Sequence, residues 1–216
     1  MEDRWLARAK RVHALATTGL SFSRDPFDIE RFEELRGIAE AMLAELADAP
    51  VAQIAGHLAP GSNGYATPKV DVRGAVFLDG RILLVRERQD GLWSMPGGYA
   101  DIGLSAAENV VKEVAEEAGL AVSARRLYHL RHKAKGPGEP DMRDFYKLYF
   151  LCEAEGAQLP MPGHEVLDIG TFARDGLPPR STGRVTVADV ERALAAAEGP
   201  GLATGLDRST RLLSPS

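Results

Sequence analysis

At Lys69 the hydrophobic period of the chain changes from that of a helix to that of a strand. Before it, Trp5, Ala9, Val12 and Ala16 recur at helical spacing, as do Phe32, Leu35, Ile38, Met42 and Leu46. Apolar residues three or four apart line one face of a helix. After it, Val70 to Leu78 and Arg81 to Glu87 read as strands around Asp79-Gly80. That pair favours the two-residue type I′ hairpin turn. Between the two regimes, Pro60-Gly61-Ser62-Asn63-Gly64 breaks the pattern and marks a boundary. The expected organisation is a helical module over 1–66, a mixed α/β or α+β domain over 67–200 and a loose tail over 201–216.

The remaining elements follow from the same signals. Asp25-Pro26 predicts a helix start, because proline is tolerated in the first turn and Asp28 and Glu30 suit its positive end. A shorter helix is expected over Val51 to Leu58. The turn Trp93-Ser94-Met95-Pro96-Gly97-Gly98 leads into a helix at about 106–118. Strands are expected at Arg126 to Lys133, Phe145 to Glu153 and Ile169 to Phe172, with a last amphipathic helix at about 187–197.

Composition removes several classes of function. With 44% apolar residues in 216, the chain has enough for a core, unlike a disordered segment. No run of 18 or more apolar residues exists, so no membrane span is expected, and Met1 to Lys10 lacks the apolar stretch of a secretory signal. A net charge of −5 disfavours duplex nucleic acid as a partner, which needs a basic surface. One local exception is Arg125, Arg126, Arg131, Lys133 and Lys135, in a stretch free of acids. The single cysteine, Cys152, reads as a small buried hydrophobe, and its lack of a partner fits a reducing cytoplasm.

The helix at about 106–118 carries the chemistry. Ser105 and Glu108 match a capping box, and Gly119 stands where a helix exits through a left-handed residue. Ala107, Val110, Val111, Val114 and Ala118 form its apolar stripe. Glu113, Glu116 and Glu117 stand at i, i+3 and i+4, on another face about 130° away. Lys112 pairs with Glu108 on a different side. One reading is a solvated charged face. Against it, like-charged neighbours and acids in the last helical turn together cost ~1–3 kcal/mol. A divalent cation reverses that sign, and oxygen ligands with open positions suit Mg²⁺ or Mn²⁺. The Gly97-Gly98 turn permits close backbone approach and exposes carbonyl oxygen.

This spacing resembles the signature of the Nudix hydrolases, G-x5-E-x7-R-E-U-x-E-E-x-G-U with U a bulky apolar residue. Gly98 opens it and Lys112-Glu113-Val114-Ala115-Glu116-Glu117-Ala118-Gly119-Leu120 closes it in register. Trp93-Ser94-Met95-Pro96-Gly97-Gly98 resembles the W-x-L-P-G-G that precedes it in that family. Leu104 stands at the first signature glutamate and Lys112 at the arginine, so the charge is kept but the bidentate fork is not. The N-terminal stretches Trp5 to Val12 and Ile29 to Arg36, with Ala-Asp-Ile-Gly-Leu-Ser at 100–105, resemble one bacterial group. Its members carry a helical N-terminal extension and hydrolyse ADP-ribose, CDP-choline and similar nucleoside diphosphates linked to another moiety.

The resemblance implies a Nudix fold, a mixed sheet between helices, and metal-assisted attack of water on the diphosphate bridge. It implies Glu113 and Glu117 as primary Mg²⁺ or Mn²⁺ ligands, the Gly97 carbonyl as a backbone ligand, and Glu116 as ligand or general base. Glu165, in the loop before the last strand, is the candidate base or additional ligand; its other reading is a solvent-facing acid. His129, Arg131 and Lys133, on one side of an extended segment, either meet the phosphates or form an ordinary polar face. Tyr146 and Tyr149 either stack a base or belong to the core, and His13 and His57 read as structural. The N-terminal helices have apolar faces too large to bury among themselves, so a homodimer is expected. Two rival functions are a ligand-sensing regulator and a hydrolase of RNA ends. The regulator needs a DNA-reading helix-turn-helix, yet only one helix follows Gly183, with Arg192 as its sole base.

Overall fold

Among the described residues three helices come first: α1 (Arg4–Phe22), α2 (Pro26–Ala47) and α3 (Val51–Leu58). The computed structural model describes residues 3–58, 64–135 and 140–199. Of these, 3–69, 134–135 and 140–145 cluster as one unit, and 70–133 with 146–199 as another. In the helical unit, Asp3 accepts the Trp5 and Leu6 N–H groups. Asp25 accepts those of Phe27 and Asp28, with Pro26 in the first turn as its sequence predicts. The interior is small: Ala9, Leu43, Ala44 and Ile54 are buried, with Leu6, Met42, Leu58 and Met142 against them. Lys10 is buried as well. Its Nζ donates to the carbonyls of Asp141 and Arg143 and to Asp144 Oδ1, at 3.1, 3.2 and 2.6 Å. Residues 140–145, distant in sequence, therefore belong to this unit.

Among its described residues the second unit is built on six strands: β1 (Lys69–Leu78), β2 (Arg81–Glu87), β3 (Trp93–Ser94), β4 (Val122–His132), β5 (Phe145–Ala154) and β6 (Val166–Phe172). The order is β3-β2-β1-β5-β4, with β6 also paired to β2. Asp79 and Gly80 have φ of 49° and 73°, as the type I′ turn requires. Helices α4 (Ala106–Ala118) and α5 (Val187–Glu198) cover opposite faces. Val72, Val76, Leu83, Val85, Phe150 and Cys152 pack with α4. Their alternate neighbours Ala75, Ile82, Leu84 and Tyr149 pack with Val190, Ala193 and Leu194 of α5. Gly74 lets α4 lie close, since a Cβ there would stand 2.7 Å from a Val114 methyl. The fold is α+β with a mixed sheet, as expected.

Three details differ from the sequence reading. Strand β4 begins at Val122 rather than Arg126, and irregularities after Ala124 and Leu127 interrupt its alternation. Strand β6 begins at Val166 rather than Ile169. Strand β3 has two residues, too few to show a period. Most of the expected boundary at Pro60–Gly64 and the whole tail at 201–216 lie outside the described residues.

Candidate active site

The site is assembled around α4. Ser105 Oγ accepts the Glu108 N–H and Glu108 Oε2 accepts the Ser105 N–H, so the capping box is complete. Asn109 accepts the Asp101 N–H and donates back to the Asp101, Leu104 and Ser105 carbonyls, tying the preceding loop to the helix. Gly119 ends the helix at φ 65°.

The glycine turn is held onto the first half of β1 by its backbone. Val72 N–H donates to Gly98 O at 2.9 Å, Gly74 N–H to Pro96 O at 2.8 Å, and Ala100 N–H to Val70 O at 3.0 Å. Gly97 sits at φ 143°, and a Cβ there would stand 2.0 Å from Val72 O, so glycine is required. Its N–H donates to Glu117 Oε2 at 2.9 Å. A Cβ on Gly98 would stand 3.0 Å from Glu113 Oε2. The turn thus lies directly over two buried carboxylates.

Burial raises the Glu113 carboxyl to about 7; Lys112 and Arg73 oppose the shift, while Glu116 and Glu165 add to it. Burial likewise raises Glu117 to about 7, against Arg73 and the Gly97 N–H and with help from Glu87 and Glu113. Two carboxylates held against their own solvation fit a hard divalent cation, whose charge offsets that cost. The donor set, carboxylates beside a glycine turn, is all oxygen. Among the described residues no three His, Cys, Asp or Glu side chains are gathered so that they could hold a metal ion, so the fit rests on the two buried carboxylates and the glycine turn.

Glu116 takes a different position from its two neighbours. It is exposed, and its Oε2 accepts from Lys112 Nζ at 2.7 Å; Lys112 also lies 3.3 Å from Asp101. The expected pairing of Lys112 with Glu108 gives way to this one, with Glu108 Oε2 engaged at the cap. The expected penalty at the helix end is also relieved from outside α4. Met161 N–H donates to Ala118 O at 2.9 Å and Gly163 N–H to Glu117 O at 3.0 Å. Gly163 lies so close that a Cβ would stand 1.7 Å from Glu116 O. This docked loop brings Glu165 near enough to Glu113 to influence its ionisation.

The basic residues of β4 lie elsewhere. Arg131 is buried, its Nη1 3.2 Å from Asp189 Oδ2 of α5 and its guanidinium over Tyr149. His129 stacks on the same ring at 5.5 Å between centroids. Both therefore face α5, on the side of the sheet opposite α4. Lys133 lies past the strand in a 3-10 turn, which corrects the expectation of three residues alternating on one strand side. Tyr149 is core, whereas Tyr146 is partly exposed beside His132. His13 lies 3.6 Å from Glu40. The His57 and Lys135 side chains lie outside the described residues. Cys152 is buried, its thiol pushed up to about 12 by desolvation, as an inert core residue should be.

Sequence reasoning missed a buried charge cluster. Arg73 grips Asp71 with Nε and Nη2 at 3.0 and 2.9 Å, Lys147 Nζ reaches Asp71 at 3.1 Å, and Glu87 lies 3.7 Å from Arg73 and 3.2 Å from Arg184. Its only sequence signal is charge at alternate positions within the apolar run of β1.

Residues 68–189, more than half of the chain, match the NUDIX domain. The chain belongs to the Nudix hydrolase family. Residues 3–58 match a second model, the UDP-X-like, N-terminal oligomerisation domain. The hydrolase is 42% identical over 186 residues to the Bacillus subtilis protein named "Putative ADP-ribose pyrophosphatase YjhB", spanning 86% of this chain and 88% of that one. Among solved structures it is similar to a UDP-X diphosphatase, with TM-score 0.57 and 32% identity over 90% of this chain and 95% of that one. It is also similar to an ADP-ribose pyrophosphatase from Streptococcus suis, with TM-score 0.54 and 37% identity over 62% of this chain and 96% of that one. The signature helix of this Nudix pyrophosphohydrolase is α4, and its glycine turn is the one held by β1.

Proposed function

We propose that this hydrolase cleaves the diphosphate bridge of a nucleoside diphosphate linked to another moiety, such as ADP-ribose or CDP-choline, in a reaction that depends on Mg²⁺ or Mn²⁺ and releases a nucleoside monophosphate. The observation that carries the proposal is the pair Glu113 and Glu117, buried side by side beneath Gly97 and Gly98. The names of the relatives, an ADP-ribose pyrophosphatase and a UDP-X diphosphatase, support the substrate class.

Glu113, Glu117 and the Gly97 carbonyl are the residues that would hold the cation. When bound, it supplies charge for the bridging phosphates and acidity for a water. Glu165, carried toward Glu113 by the loop docked on α4, is assigned as general base or further ligand. Glu116, at the rim, fills either role once it leaves Lys112. His129, Arg131 and Lys133 are kept as candidates for a part of the substrate away from the diphosphate, since His129 and Arg131 face α5 rather than α4 and Arg131 is paired with Asp189. The exposed apolar side chains of the helical unit, with its match to an oligomerisation domain, support a homodimer. No described helix is long and apolar enough to cross a membrane. The free thiol of Cys152 supports a reducing, cytoplasmic setting.

The test supplies purified protein with Mg²⁺ or Mn²⁺, offers ADP-ribose, CDP-choline, a UDP-linked sugar and short 5′-triphosphorylated RNA, and resolves the products by chromatography. Nucleoside monophosphate from one of the diphosphate compounds is the expected result. Inertness toward all of them with both metals sinks the proposal, and cleavage of the RNA alone replaces its substrate.

A further inference from the structure

We infer that Arg73 is a positioning residue for the catalytic turn, acting through Ser94 and Met95; the inference rests on the reading that Gly97, Glu113 and Glu117 hold a divalent cation. Arg73 lies in the middle of β1, where the flanking residues Val72, Ala75 and Val76 are core. A guanidinium so deeply buried is costly to desolvate and persists only when its donors are engaged. Here the fork divides in two. Nε and Nη2 close on the two oxygens of Asp71. Nη1 points the other way, donating at 3.2 Å to both Ser94 Oγ and the Met95 carbonyl. Ser94 Oγ itself donates to that carbonyl at 3.0 Å.

Met95 O therefore receives two donors, and the peptide it belongs to leads directly into Pro96-Gly97-Gly98. The far side of the same turn is held by the Val72 and Gly74 N–H groups. Arg73, between those two residues in sequence, holds the near side with its side chain. The turn is clamped from one strand by backbone and guanidinium together. Asp71 aims the fork, and Arg73 itself, with Lys147 Nζ also on Asp71, keeps that carboxylate charged against its burial. A backbone ligand is useful only if its carbonyl is fixed to a fraction of an ångström. Lysine retains the charge at this position but has no planar fork with which to hold Asp71 and Met95 at once. The role is one of geometry, because Arg73 reaches the turn before the glycines and makes no bond to Gly97 itself.

The test compares parent, Arg73→Lys, Ser94→Ala and Glu117→Gln by titration with Mn²⁺, followed by electron paramagnetic resonance, and by kinetics on ADP-ribose at saturating metal. Circular dichroism and thermal unfolding verify the fold of each. Arg73→Lys should weaken Mn²⁺ binding and lower kcat by about tenfold or more, the range for supporting residues around a metal, with KM little changed. Ser94→Ala removes one of the two contacts to the turn and should shift Mn²⁺ binding the same way by a smaller factor. It decides the matter if Arg73→Lys does not fold. Parent-like Mn²⁺ binding and kcat in a folded Arg73→Lys, or in Ser94→Ala when only that variant folds, overturns the inference while Glu117→Gln still loses the metal. No Mn²⁺ binding by the parent removes the site reading, and the inference with it.

Discussion

Glu117 meets two opposing demands: burial pushes its carboxyl up to about 7, while the Gly97 N–H and Arg73 favour its charge. Glutamine keeps the shape and an acceptor for Gly97 but cannot neutralise a cation. Glu117→Gln should thus fold normally and lower turnover by about two to three orders of magnitude, comparable with losing a preorganised charge-stabilising group. Steady-state kinetics on a variant with unchanged unfolding temperature checks this, and parent-like turnover removes the assignment. Lys147 makes a different prediction. Burial, with Arg73 beside it, outweighs Asp71 and lowers its ammonium from 10.5 to about 8. Between those values the unfolded chain keeps a proton that the folded chain has released, so this group makes stability rise with pH. Below about 8 the cost is full and constant. Denaturant unfolding at pH 7.5 and pH 10 should show the parent gaining on the order of 2–3 kcal/mol relative to Lys147→Met. An unchanged difference between the two pH values would show that Lys147 keeps its proton throughout.

At the scale of the element, α4 was legible almost to the residue, because its cap, apolar stripe and exit glycine are all local signals. The fate of its acids was not. Spacing placed Glu113, Glu116 and Glu117 together, yet two are buried and one is exposed. What separates them is packing from β1 and from the loop that docks Met161 and Gly163 on the helix end, contacts with no periodicity to read. Gly163 is the tightest of these contacts. Gly163→Ala should push the loop away from Glu116 O and displace Glu165, lowering kcat about tenfold or more while α4 stays folded. Hydrogen exchange of the Glu165 loop should rise in the same variant. Unaltered kcat and exchange would show that the loop does not place Glu165. Strand β4 was legible in part: its pairing is continuous from His129 to His132 and His129 and Arg131 share a side as expected, but the strand ends at His132 and Lys133 turns off it, a boundary with no local signal.

For the whole molecule, the helical unit buries few apolar side chains and leaves Trp5, Leu15, Phe22, Phe27, Leu35 and Ile38 exposed. Scattered exposed apolar residues are ordinary, but so many on two helices with so small an interior are an unfinished core. Light scattering after gel filtration should give twice the chain mass at micromolar concentration, and Leu35→Glu with Ile38→Glu should shift it toward one chain. A single-chain mass for the parent rules out the dimer.

The change of period at Lys69, the caps at Asp25 and Ser105, the Asp79-Gly80 turn and the signature glutamates were all readable without a structure. Each depends on residues close in sequence, where propensity, capping and periodicity act directly. The Arg73 clamp, the relief of the α4 terminus by Met161 and Gly163, and the capture of residues 140–145 by Lys10 were not. They join positions tens of residues apart. A buried charge is tolerable only once the folded chain has placed its partners around it, so its role is written in the packing rather than in the pattern.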